Sequence, residues 1–187
     1  MNINHKIISK KAVFLDRDGT IIEDGGYLSK PSQVMFFNDT FDALRRLQKD
    51  YMLFIVTNQQ GISEGILTAE EVDCVNQYVV DSLNDAGINI MDVYVCPHTK
   101  ADNCECRKPK PYFLHKASKD YDIVLENSFV IGDHPSDIQL AIQTRAKGIY
   151  LLTGHGKKHL SELNNNEIVA SDISDAVSRI LGPNSGD

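Results

Sequence analysis

Short apolar runs rich in Val, Ile and Phe alternate along this chain with amphipathic stretches, and no other feature limits its fold so tightly. The runs are AVFLD (12–16), MLFIVT (52–57), DVYVC (92–96), SFVIGD (128–133) and GIYLLT (148–153). Nearly continuous apolar character marks strands buried on both faces, as in a parallel sheet covered by helices. The stretches between them have helical spacing. Phe41, Leu44 and Leu47 follow Asn38 and Asp39, which can cap a helix start. Thr68 and Glu71 form a capping box ahead of a stripe of Val72, Val75, Val79, Leu83 and Ala86 that ends near Gly87. Ser136 can cap a helix carrying Ile138, Ala141 and Ile142, and a last helix holds Ile173, Val177 and Ile180. These stripes read as core, and Cys74, beside Val72 and Val75, reads as a small buried thiol. The expected fold class is α/β, a doubly wound, Rossmann-like parallel sheet in a single domain over residues 1–187, with frayed ends at MNIN and GPNSGD.

Composition removes several classes of function. A net charge of -7 argues against a nucleic-acid binder, so any anionic ligand has to be met by local cations. The N-terminal MNINHKIISKK lacks an apolar export segment, and no window approaches the length of a membrane span, so a cytoplasmic protein is expected. Four cysteines in that compartment are not a disulfide framework, and three of them crowd into 96–106, which points to metal.

Two signals carry chemistry. The first is FLDRDGTII (14–22), where Asp16 and Asp18 stand two positions apart at the end of a predicted strand. Side chains with that spacing point the same way and repel unless a cation or a proton intervenes. A hard divalent ion such as Mg²⁺ suits the site, with one or two carboxylates and a substrate phosphate in its shell. Asp133, in IGDHPSD, falls at another strand end and would add a carboxylate, while Thr57 ends a third strand. Such strand ends converge on the ligand crevice of an open parallel sheet. The second signal is VCPHTKADNCECRKPKP (95–111), with Cys96, His98, Cys104 and Cys106 in the pattern C-x-H-x5-C-x-C. Three thiolates and an imidazole leave no open position on Zn²⁺, so a structural rather than catalytic zinc is expected.

The ordered set DRDGT (16–20), TNQ (57–59), a lysine near 108 and GDHPSD (132–137) resembles the four motifs of the haloacid dehalogenase superfamily of phosphatases, over residues 12–153. The resemblance implies an aspartyl-phosphate mechanism in which Asp16 is the nucleophile and Asp18 the general acid and then base. Thr57 and Asn58 would donate to the phosphoryl oxygens, and Mg²⁺ would be held by Asp16, Asp133 and the main-chain carbonyl of Asp18. Asp137 orients the lysine or the metal waters, or is simply a helix N-terminal acid.

The zinc loop, 96–108, resembles that of a subfamily containing heptose bisphosphate and histidinol-phosphate phosphatases. There the lysine after the arginine is the motif lysine and the arginine recognises substrate, which implies Lys108 and Arg107, with Lys110 as the rival lysine. DGGYLSKPSQVMFF (24–37) and TNQQGISEGILT (57–68) look like the heptose members' short flap and phosphate and sugar contact. They imply substrate contacts from Asp24, Gly25, Gly26, Tyr27, Asn58, Gln59 and Gln60, with His134 where these families carry Lys or Arg. No large cap domain is expected. The favoured activity is removal of the C7 phosphate of D-glycero-D-manno-heptose 1,7-bisphosphate, in nucleotide-activated heptose synthesis. Histidinol-phosphate hydrolysis is the alternative, and a non-catalytic sugar-phosphate binder a third. The expected partner is a phosphorylated sugar, without nucleic acid or membrane, and the expected state a monomer.

Overall fold

A computed structural model describes residues 10–164 and 166–182, so the expected frayed ends, Gly182 apart, lie outside the described residues. The five apolar runs are five of six parallel strands: β1 Ala12–Leu15, β2 Met52–Asn58, β3 Ile90–Cys96, β4 Phe129–Gly132 and β5 Lys147–Leu151, with β6 at Ile168–Ala170. Their order is β3-β2-β1-β4-β5-β6. The chain therefore builds outward from β1 in one direction and then, from β4, in the other. That reversal opens a crevice between β1 and β4 at their carboxyl ends, where Asp16 and Asp133 emerge.

Alternation along the strands divides the core into two layers. Val13, Leu15, Leu53, Ile55 and Ile131 face α1 (Thr40–Leu47), α2 (Ala69–Asp85) and α5 (Ile173–Leu181), meeting Leu44, Val79 and Val177. Ala12, Phe14, Phe54, Val56 and Val130 face the other way, onto Leu114 of α3 (Tyr112–Tyr121) and Leu140 and Ala141 of α4 (Pro135–Thr144). The connection from β1 to β2 holds two isolated bridges, a 3₁₀ turn at Pro31–Gln33 and α1, so among the described residues it is a flap and not a cap domain. No helix among the described residues is long and apolar enough to cross a membrane.

Several local expectations need correction. The helix after β4 is capped by His134 rather than Ser136: Pro135 takes the first helical position, and the His134 ring accepts the Ser136 N–H at 3.2 Å. Asp39 stands at the N-cap of α1, but its carboxylate accepts from the main chain of Ser174 at 3.0 Å instead of capping its own helix. Cys74 and Ile142 are exposed, not buried. The Thr68–Glu71 capping box is present in both directions. The strand β6 and helix α3 had no expectation. Replacing the buried Leu44 by Ala should cost roughly 3 kcal/mol in urea unfolding through the cavity left between α1 and the sheet. Ile142→Ala, at 61% exposure, should stay within about 0.5 kcal/mol of the parent; equal losses would contradict this assignment of the core.

Candidate active site

The crevice is an open cavity of about 870 Å³ above the strand ends. At its floor Lys108, 5% exposed, places Nζ 2.8 Å from Asp16 Oδ1 and 2.7 Å from Asp137 Oδ1. Burial alone would lower the lysine's pKa, but the carboxylates of Asp137 and Asp16 outweigh it and hold the ammonium charged. The rival, Lys110, turns away toward Glu105 and Asn103. Asp137, expected to orient the lysine or metal waters, is wholly buried and also accepts the His134 N–H.

Asp133 arrives beside Asp16 from β4. Its Oδ2 accepts the main-chain N–H of His155 at 2.7 Å. Gly19 (φ 75°) and Gly154 (φ 47°) close around it, and a Cβ at either would fall 2.2 Å from that oxygen, so the backbone can approach this carboxylate only without side chains. Burial, then the neighbouring charge of Asp16, pushes Asp133 up to about 8. Burial raises Asp16 as well, against the pull of Lys108. Carboxyl oxygens of Asp16, Asp133 and Asp137 lie within 4.8 Å of one another, a donor set that fits a hard cation.

Asp18 faces differently. Gln59 donates to its Oδ2 at 2.8 Å and to Thr57 Oγ at 2.8 Å, and Arg17 forks onto both oxygens. Burial raises its pKa, with the Arg17 charge opposing. Its carboxylate is thus occupied away from the other three acids.

The loop after β3 brings Cys96, His98, Cys104 and Cys106 into a cluster within 4.8 Å. The sulfur–sulfur distances are 3.2 Å for Cys96–Cys106, 3.6 Å for Cys96–Cys104 and 3.6 Å for Cys104–Cys106. Tetrahedral ligands at about 2.3 Å from a zinc ion would sit roughly 3.8 Å apart, so the constellation fits zinc. Burial pushes the Cys96 thiol up, which a metal would reverse. Arg107 is pinned by donation to His98 O and to Gln60 Oε1, each at 2.9 Å. The Asn58 amide clasps the main chain of Lys108, accepting its N–H at 3.1 Å and donating to its carbonyl at 3.5 Å. The loop geometry is therefore transmitted to both cations.

Of the expected substrate contacts, Asp24, Gly26, Tyr27, Asn58, Gln59, Gln60, Arg107 and His134 line the cavity. Gly25 does not; it packs on Leu28, and a Cβ there would come within 2.8 Å of that side chain. Asn58 lines it with its amide directed to Lys108 rather than left for a phosphoryl oxygen. The flap is stitched at two points, Tyr27 OH to Glu64 at 2.5 Å and His155 Nε2 to Asp24 at 3.2 Å. Sequence reading missed Arg17, Asn76 and His155. Arg17 was visible as a charge inside a buried strand end, and Asn76 as the polar member of an apolar stripe; His155 carried no signal.

A strand-end aspartate paired to a buried lysine, with two further acids at a switch point, defines a phosphatase of the haloacid dehalogenase type. A HAD-hydrolase-like family model matches residues 105–176. The chain is 39% identical over 149 residues, covering 79% of it and 86% of the relative, to D-glycero-beta-D-manno-heptose-1,7-bisphosphate 7-phosphatase of Helicobacter pylori. It is 38% identical, over 79% of this chain and 85% of the relative, to D-glycero-alpha-D-manno-heptose-1,7-bisphosphate 7-phosphatase of Campylobacter jejuni. Among solved structures, a D,D-heptose 1,7-bisphosphate phosphatase from B. bronchiseptica, complexed with magnesium and phosphate, superposes with a TM-score of 0.84 at 27% identity, covering 92% of this chain and 98% of that one. The chain belongs to the heptose 1,7-bisphosphate 7-phosphatase family.

The acid cluster also sets a pH dependence. An acid whose native pKa lies above its unfolded value binds extra protons when folded, so its contribution to stability declines as pH rises. For Asp133 that loss runs from about the ordinary 3.8 to about 8. Calorimetry of metal-free protein should show added Mg²⁺ raising Tm more at about pH 8 than at about pH 5; an equal increment at both would contradict the electrostatic reading.

Proposed function

We propose that the protein is a Mg²⁺-dependent phosphatase that removes the C7 phosphate of D-glycero-D-manno-heptose 1,7-bisphosphate through an aspartyl-phosphate on Asp16. The observation that carries this reading is the buried Asp16–Lys108–Asp137 ion-pair chain beside Asp133, in a chain whose named relatives hydrolyse that ester.

Asp16 attacks phosphorus while the bond to the C7 oxygen breaks. Asp18 gives that oxygen its proton and departs from the step as a carboxylate; it then takes a proton from the water that hydrolyses the phosphoenzyme. Oδ2 of Asp18 accepts from Arg17 and Gln59, so Oδ1, which has only Arg17, has a lone pair left to carry the proton. Lys108 and Thr57 meet the charge on the phosphoryl oxygens, and Asp137 keeps the lysine in place. Asp16 and Asp133, with the Asp18 carbonyl, would hold Mg²⁺, which when bound neutralises charge and polarises the phosphoryl group. Arg107, Gln60, His134 and the flap residues Asp24, Gly26 and Tyr27 would contact the sugar and its distal phosphate. The cavity volume falls within the range of small-molecule sites. Zinc at Cys96, His98, Cys104 and Cys106 would be structural, fixing Arg107 and Lys108.

Phosphate release should require Mg²⁺ and vanish in Asp16→Asn. In a screen including both anomers, kcat/KM for the heptose bisphosphate should exceed that for histidinol phosphate by about a hundredfold or more, because paired polar groups reject ligands lacking the matching hydroxyls. A reversed ratio would transfer the activity to histidinol phosphate.

The zinc assignment makes a separate demand. Purified protein should hold about one tightly bound zinc, and Cys104→Ser should approach the defect of Lys108→Ala, since misplacement by about 1 Å costs on the order of a hundredfold. Combining the two should be far from multiplicative. Zinc-free native enzyme, or independent effects, would break the link between loop and lysine.

A further inference from the structure

Arg17, between the two motif aspartates, is among the fully buried side chains, at 0% exposure. A guanidinium keeps its charge on burial, so each of its three nitrogens needs an acceptor. Nε and Nη2 fork onto Asp18, at 3.1 Å to Oδ2 and 3.0 Å to Oδ1. Nη1 donates at 2.7 Å to Oδ1 of Asn76. Asn76 lies on α2, 7% exposed, in the stripe of Val72, Val75, Val79 and Leu83. Its amide nitrogen has no hydrogen-bond partner among the described residues. A buried amide whose donor goes unused, on a face that could have been wholly apolar, is there for its acceptor.

We propose that Asn76 and Arg17 are positioning residues for acid–base catalysis, with Asn76 fixing the guanidinium and the guanidinium fixing the plane of the Asp18 carboxyl against the scissile ester oxygen. The proposal rests on the reading of Asp18 as the proton donor. A bidentate fork defines an orientation that a point charge does not. Once Nη1 loses its acceptor, the guanidinium is free to turn toward another, and the carboxyl it grips turns with it. Gln59, which bridges Asp18 and Thr57, holds only one of the two carboxyl oxygens and cannot restore the plane. Neither Arg17 nor Asn76 lines the cavity, so the effect must pass through Asp18.

The test compares kcat/KM, which covers the steps up to phosphoenzyme formation, on the heptose bisphosphate and on p-nitrophenyl phosphate. The alkoxide leaving group needs a proton and nitrophenolate does not. Asp18→Asn supplies the benchmark, with a loss on the alkyl ester about a hundredfold greater than on the aryl ester. Asn76→Leu should show the same selectivity, with the alkyl-to-aryl ratio falling about tenfold or more. Asn76→Asp, which keeps an acceptor oxygen in place, should hold the ratio within about threefold of the parent. Should Asn76→Leu fail to fold, Arg17→Lys keeps the charge without the fork and should give the selective loss in its place. An unchanged ratio, or equal losses on both esters in the folded variant, overturns the proposal. Equal losses in Asp18→Asn itself would instead overturn the reading of Asp18, and so separate the two failures.

Discussion

Three carboxylates share one ammonium at the switch point of the sheet: Asp16 and Asp137 bind Lys108 directly, and Asp133 lies against them. With all four ionised the group carries two excess negative charges in a buried crevice. Coulombic repulsion there is far stronger than in water, and protonation or a divalent cation relieves it. The surroundings are arranged so that the acids cannot move apart. Strand ends fix Asp16 and Asp133, the start of α4 fixes Asp137, and the glycine cradle of Gly19 and Gly154 closes the space behind Asp133. The site therefore stores an electrostatic demand that a divalent cation would satisfy.

Asp18 is managed by a separate set of contacts. Among the described residues its charge is balanced by Arg17 alone, and its partners Gln59 and, through the guanidinium, Asn76 come from the loop after β2 and from α2. Asp16 and Asp18 are two residues apart in the chain yet wired to different parts of the core. In the proposed mechanism that separation lets one carboxyl act as the nucleophile while the other carries a proton.

What the sequence made legible was local. DRDGT, the capping box at Thr68 and C-x-H-x5-C-x-C each sit within a few residues, so spacing alone could place them. The strand runs were legible because both their faces are apolar. What remained hidden depended on partners far along the chain: Asp39 serves Ser174 across 135 positions, Arg17 meets Asn76 across 59, and His155 meets Asp133 across 22. Other misses were local. Cys74 is two residues from Val72 and so lies across the helix from it, and Pro135 at the first helical position moved the cap back to His134. Helix α3 buries only Leu114 and Ala117, too few to make a visible stripe.

The two ligand clusters differ in how much chain must be assembled before they exist. Cys96, His98, Cys104 and Cys106 span eleven residues and close a short loop, whereas the acid cluster joins residue 16 to residue 137. Loop-closure entropy grows with the separation of the joined residues. During synthesis the cysteine loop is complete before β4 has left the ribosome, while the acid cluster must wait for β4 to dock beside β1. On the proposed assignment of zinc to the cysteines and magnesium to the acids, a nascent chain would complete the site for the softer ion first and the site for the harder one only once the sheet is whole, so the order of metal loading would follow the order of the sequence.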